Sequence, residues 1–268
     1  MTKRLIFILF FIIKALESSS QVPWDFAYSD EKEDSISALA IKPLAKPEKL
    51  LKQIIQRLEL DLQQKHKVRK YKVEATFWQE TLVPFSFGCS LSAEAGVGLE
   101  KVELDEFWYE GPYDLNNQDT IQLKDFLRQF ATLSPVHAHR VYSGNNAASP
   151  LLKYRDTRNM YDVKAFDIDD ASGRGVYRFQ FIWKKGQPRD IFERAFNKGE
   201  ITGTAYFDHS SLRLKDFKGE AHFLTKYDTR IRYQIDYYKN TKTPILRQIK
   251  IAGTRDDMIM QATVKPVL

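Results

Sequence analysis

Between residues 47 and 64 the apolar positions Leu50, Leu51, Ile54, Ile55, Leu58 and Leu62 recur every third or fourth residue. That spacing draws a single stripe along a helix, and Pro47 sits where a helix opens, a position at which its missing amide hydrogen costs nothing. Such a stripe has to lie on another apolar surface. After Lys65-His66-Lys67 the period changes to two: Tyr71, Val73, Ala75 and Phe77 alternate with Lys72, Glu74, Thr76 and Trp78. This is the pattern of a half-buried strand. Residues 82–91 and 99–107 read as two more strands, with Gly96 and Gly98 marking a bulge or turn between them. A break at Gly111-Pro112 and Asn116-Asn117 is followed by Ile121, Leu123, Phe126, Leu127 and Phe130, which predict a short helix.

Beyond a loop at 145–150 the chain reads as strands at 151–154, 161–168, 176–183, 201–207, 212–224, 229–238, 245–254 and 258–264. The turns between them, such as Asp170-Ala171-Ser172-Gly173 and Asp208-His209-Ser210-Ser211, are far too short for parallel crossovers, so the connections are antiparallel. Within 199–223, Ile201, Gly203, Ala205 and Phe207 point one way and Thr202, Thr204 and Tyr206 the other. A sheet of about ten strands with one apolar face tends to curl. The expected fold is therefore α+β: a large curved antiparallel β-sheet, a half-barrel, packed by the N-terminal amphipathic helix.

The start of the chain adds a compartment. Met1-Thr2-Lys3-Arg4 is a short basic head, residues 5–13 are an unbroken apolar run, and Ser18 and Ser20 suit cleavage before Gln21. These features predict a signal peptide over 1–20. The apolar run covers only about 13 Å as a helix, too little to span a bilayer core. Residues 21–44, with Pro23, Pro43 and scattered acids, read as an extended leader, and 45–268 as one α+β domain. The predicted product is exported, to the periplasm or cell envelope, and soluble once residues 1–20 are removed.

Removing residues 1–20 lowers the formal charge from +6 to +4, and no block of like charges remains, so no nucleic-acid partner is implied. Cys89 is the sole cysteine, which excludes an internal disulfide and thiolate-rich metal sites; within Phe85-Ser86-Phe87-Gly88-Cys89 it reads as a small buried apolar residue.

No segment carries a catalytic signature. His137-Ala138-His139 puts two imidazoles on one face of an extended strand, but a zinc site needs three or four ligands. Asp167, Asp169 and Asp170, like Asp256 and Asp257, are explained by turn chemistry or could hold a hard cation. The expectation is no catalytic residue, no metal ligand and no cofactor. Phe181, Trp183, Tyr233 and Tyr237 are the candidate ligand-facing residues, with core or cross-strand packing as the other reading of the same aromatics.

Three stretches resemble the domain that follows the carboxypeptidase-regulatory-like β-sandwich in secreted and envelope proteins of Gram-negative bacteria. "LLKQIIQRLELDLQQKHK" leads into "YKVEATFWQE", similar to a helix and a strand that carries Phe-Tyr-Arg-Glu in that family. "LSAEAGVGLEKVEL" is similar to its Ser-Glu-Ala strand, and "GVYRFQFIWKK" with "GEITGTAYFDHSSLRLKDFKGEAHF" to its closing strands. Gln79 stands in place of the family's Arg, and Phe207 in place of the Tyr before Asp208. The resemblance implies no catalytic residues. Its architecture is similar to that of periplasmic lipoprotein carriers, whose open barrel shelters acyl chains. The function expected is a non-enzymatic binding or scaffold domain for a lipid or other apolar ligand, or for an envelope protein; the alternative is a metal-dependent envelope hydrolase using His137, His139 and an acidic residue.

Overall fold

The computed structural model describes residues 41–63, 68–79, 82–95, 99–131, 150–151, 153–169, 175–184, 200–224, 228–238, 245–255 and 258–267. The anticipated signal peptide, most of the leader, His137, His139, Asp170, Asp256 and Asp257 lie outside them.

One open antiparallel sheet of eleven strands organises the chain. In sequence these are β1 (Ile41–Pro43), β2 (Val68–Gln79), β3 (Leu82–Ala95), β4 (Leu99–Glu110), β5 (Tyr161–Ile168), β6 (Val176–Trp183), β7 (Glu200–Asp208), β8 (Leu214–Leu224), β9 (Asp228–Tyr237), β10 (Leu246–Arg255) and β11 (Met258–Pro266). In space their order is β1-β5-β6-β7-β8-β9-β10-β11-β2-β3-β4. The meander from β5 to β11 follows from short turns except between β6 and β7, which pair antiparallel although sixteen residues separate them. The junction of β11 with β2, and the addition of Ile41–Pro43 to the β5 edge, do not follow from turns.

Three helices are described: α1 (Glu48–Leu62), α2 (Asn117–Ala131) and α3 (Tyr154–Met160). The last overturns the expected strand at 151–154. Leu151-Leu152 is too short an apolar run to separate strand from helix by period. The decision rests instead on Thr157, buried, whose hydroxyl donates to the carbonyls of Pro150 and Lys153 at 2.6 and 2.9 Å and so closes a helical turn. The strand expected from residue 212 begins at Leu214, because Leu212 takes a left-handed φ of 56° in the β7–β8 turn.

Residues directly opposite in an antiparallel pair share a face, so the register traces the core. From Phe181 the row crosses Gly203 and Gly219 to Tyr233, then Ile251, Ala262 and Ala75, and ends at Phe87 opposite Tyr109. Gly219 is what lets Tyr233 lie flat in this row: a Cβ there would sit 2.1 Å from the Tyr233 ring.

Helices α1 and α2 contribute buried side chains to this core, and Tyr154 and Met160 of α3 pack against it. Leu51, Ile54, Ile55 and Leu58 of α1 are 0–3% exposed and belong to the same cluster as the sheet aromatics. Leu123 and Leu127 of α2 join it, and Phe126 packs against Phe77 and Phe87 at 5.7 and 5.9 Å. Helix α2 starts on a reciprocal cap, in which Asn116 Oδ1 accepts from the Asp119 amide (2.9 Å) and Asp119 Oδ2 from the Asn116 amide (3.0 Å).

Candidate functional site

Phe181, Tyr233 and Tyr237 all lie on the inner face and are 0–2% exposed; Trp183 is half-buried. Trp183 stands edge-on to Tyr161 at 5.2 Å, and Tyr161 edge-on to Phe181 at 6.3 Å. Burial pushes the Tyr161 phenol far above its ordinary value. The Tyr237 phenol is raised by burial first and then by the carboxylates of Asp216 and Asp236. Tyr71, whose hydroxyl donates to the Leu246 carbonyl at 3.3 Å, is pushed up to about 12, again mainly by burial. All three tyrosines are therefore neutral at physiological pH, as groups in a dry face must be.

In this conformation the ligand-facing candidates touch protein: Phe181 and Trp183 meet Tyr161, Tyr233 meets Phe217 at 5.8 Å, and the buried cluster they belong to also includes the α1 stripe. A depression of about 170 Å³ opens beside them, where α1 meets β5 and α3. Leu51, Tyr161 and Val163 give it an apolar wall, and its charged lining is balanced, Arg158 and Lys184 standing with Glu48 and Asp162, the last 3.7 Å from Lys184. A second depression, about 220 Å³, lies between β9, β10 and β11, where Arg232, Gln234, Lys250, Gln261 and Thr263 surround Ala252.

Helix α1 carries a charge that its stripe conceals. Asp61 falls three residues after Leu58, on the buried side, and is 1% exposed. It is reached by Arg57 of its own helix at 3.2 Å and by Arg213, beside the β7–β8 turn, at 3.7 Å. That turn is itself built on Asp208, whose Oδ1 accepts from the amides of Ser210 (3.1 Å) and Ser211 (2.9 Å) while Lys215 reaches Oδ2 at 2.9 Å.

Sequence reading missed one grouping. His209, in the β7–β8 turn, lies with Nε2 2.7 Å from Oδ1 of Asp167 on β5, and Asp169 stands close by. The spacing of forty-odd residues between them carries no local signal; only pairing β5–β6–β7 side by side brings them together. Cys89 meets its expectation: it is fully buried, and desolvation pushes its thiol up to about 11 despite the nearby charges of Lys124 and Arg128.

No family model matches the chain, and no curated protein does. Among solved structures the chain is similar to a LolA superfamily protein from Nitrosomonas europaea, with a TM-score of 0.31 and 9% identity over 80% of this chain and 90% of that one. A superposition this loose does not fix a ligand or a role. Among the described residues no helix is long and apolar enough to cross a membrane.

Proposed function

We propose that the chain is a non-enzymatic binding protein of the cell envelope, exported by residues 1–20, in which a curved sheet and α1 enclose an apolar ligand or the apolar surface of an envelope partner. The observation that carries this reading is the unbroken inner face, from Phe181 across Tyr233 to Phe87, matched by the Leu51–Leu58 stripe of a separate helix. A ligand enters by displacing α1, beginning at the depression walled by Leu51, Tyr161 and Val163.

The filled interior favours a second reading, a purely structural module whose helix never leaves. Native mass spectrometry of the exported full-length protein, followed by titration with a fluorescent fatty acid, separates the two. Copurified lipid, or saturable probe binding that Leu51→Trp weakens, supports the carrier. Absence of both, in protein shown to be folded, removes it and leaves the module. Export has its own measurement: N-terminal sequencing of the secreted product is expected to begin at Gln21.

A further inference from the structure

Asp167 and His209 occupy the rim of the inner face. Asp167 pairs with Tyr177, and Tyr177 with Phe207, so the three side chains share the side of the sheet that buries Phe207. Asp169 and His209 come just after the ends of β5 and β7, two residues beyond Asp167 and Phe207. At this rim the apolar row ends in one imidazole and two carboxylates, each offering a donor atom within 4.8 Å of the others.

The contact is an ion pair poorly aligned for hydrogen bonding. His209 Nε2 and Asp167 Oδ1 are 2.7 Å apart, yet both atoms are shielded from solvent and neither has a hydrogen-bond partner, each other included. At that separation a ring N–H fails as a donor only when the oxygen lies well off its axis. Coordination of one ion would part the two atoms and end this direct contact. With bonds of about 2.0–2.2 Å, two ligands of one ion lie about 3.0 Å apart at octahedral and about 3.4 Å at tetrahedral angles, a few tenths of an ångström more than the present contact.

The ring is also held. Its centroid lies 4.0 Å from that of Tyr177, its own amide donates to the Gly175 carbonyl at 3.2 Å, and Gly175 leaves room that a Cβ, 2.5 Å from Nδ1, would take. Lys42, 4.0 Å from Asp169 Oδ2, is the cation recorded at the two carboxylates besides His209.

The geometry points to a divalent-metal site formed by Asp167, Asp169 and His209. Its donor set selects the ion: an imidazole nitrogen suits zinc and its first-row neighbours, whereas magnesium and calcium take oxygen alone. Three protein ligands leave at least one position for water. The ion neutralises two carboxylates gathered at the edge of an apolar face and ties the end of β5 to the β7–β8 turn, the turn that also holds Arg213 against Asp61 of α1.

Equilibrium dialysis of the full-length, chelator-treated protein against zinc chloride, with metal counted by mass spectrometry, tests the site. One zinc per chain is expected, with affinity falling at least about tenfold in His209→Ala and in Asp169→Asn, and unchanged in a variant with His137 and His139 both replaced by Ala. Cobalt substitution supplies a second readout, since a His-carboxylate set gives visible absorption bands that His209→Ala abolishes. Should His209→Ala fail to fold, Asp169→Asn, at a half-exposed side chain, decides alone. No zinc on the unmodified protein, or undiminished zinc on a folded His209→Ala or Asp169→Asn protein, overturns the proposal and leaves an off-axis ion pair.

Discussion

Gly219 lies opposite Gly203 on one side and Tyr233 on the other, and the Tyr233 ring fills the volume a side chain there would need. Tyr233 is 2% exposed and cannot swing away. Gly219→Ala is therefore expected to lower stability by about 1–3 kcal/mol in urea denaturation, the range for forcing atoms into a packed core. Gly253→Ala is the control: its new Cβ would meet only the flexible end of Met260, at 3.3 Å, and little change is expected. Asp208 adds a pH dependence. Partial burial raises its pKa, but hydrogen bonds from Ser210, Lys215 and Ser211 outweigh that and hold the carboxyl well below the usual range. A depressed folded value stabilises above the unfolded carboxylate pKa, about 3.9, and the contribution fades as pH falls below it. Urea midpoints measured from neutral pH downward should thus drop below about pH 4, and less steeply in Asp208→Asn. That turn was legible in Asp208-His209-Ser210-Ser211 because a short polar side chain bonding its own backbone is local chemistry. The steric match of Gly219 with Tyr233 was not, because the two meet only across a strand pair.

At the scale of elements, α1 shows how periodicity and burial can agree on a face and still hide a charge. The three-four spacing places Leu51, Ile54, Ile55 and Leu58 inside, as expected, but it places Asp61 there as well. Its burial is tolerable because Arg57 and Arg213 reach it. Removing one partner of a dry ion pair costs about 3–5 kcal/mol, and less where the cations are partly wet, as both are here. Asp61→Ala is expected to lower stability by less than that amount. It should also speed hydrogen exchange of the α1 amides selectively, since Arg213 is the polar tie described between this helix and the β7–β8 turn. Uniform acceleration across the sheet would show instead that the helix is not a separable cover. Element α3 marks the limit of pattern reading. An apolar pair before a polar run fits either a strand or a helix, and the choice fell to Thr157 bonding back to Pro150 and Lys153.

For the molecule as a whole, the decisive contact is β11 against β2, which joins the last strand to the first long one along Met258–Pro266 and Tyr71–Gln79. A chain ending before Met258 would leave β10 and β2 each with an unpaired edge. Such a truncation is expected to yield aggregated protein, checked by size-exclusion chromatography and circular dichroism against the full chain. Closing that pair requires residues nearly two hundred positions apart to meet, so folding should also be slow for this length.

Alternation of period two and apolar spacing of three and four determined, without coordinates, that the chain makes short antiparallel strands, that one sheet face is greasy, and that residues near 48–62 form a helix with a matching stripe. Those are local properties, set within a few residues by side-chain direction and backbone period. Three features belong to the tertiary structure alone: the pairing of β11 with β2, the packing onto the core of the second helix that the sequence predicts, and the meeting of His209 with Asp167 and Asp169. Each joins segments distant along the chain, and such encounters are selected by the free energy of the assembled core, which no window of neighbouring residues contains.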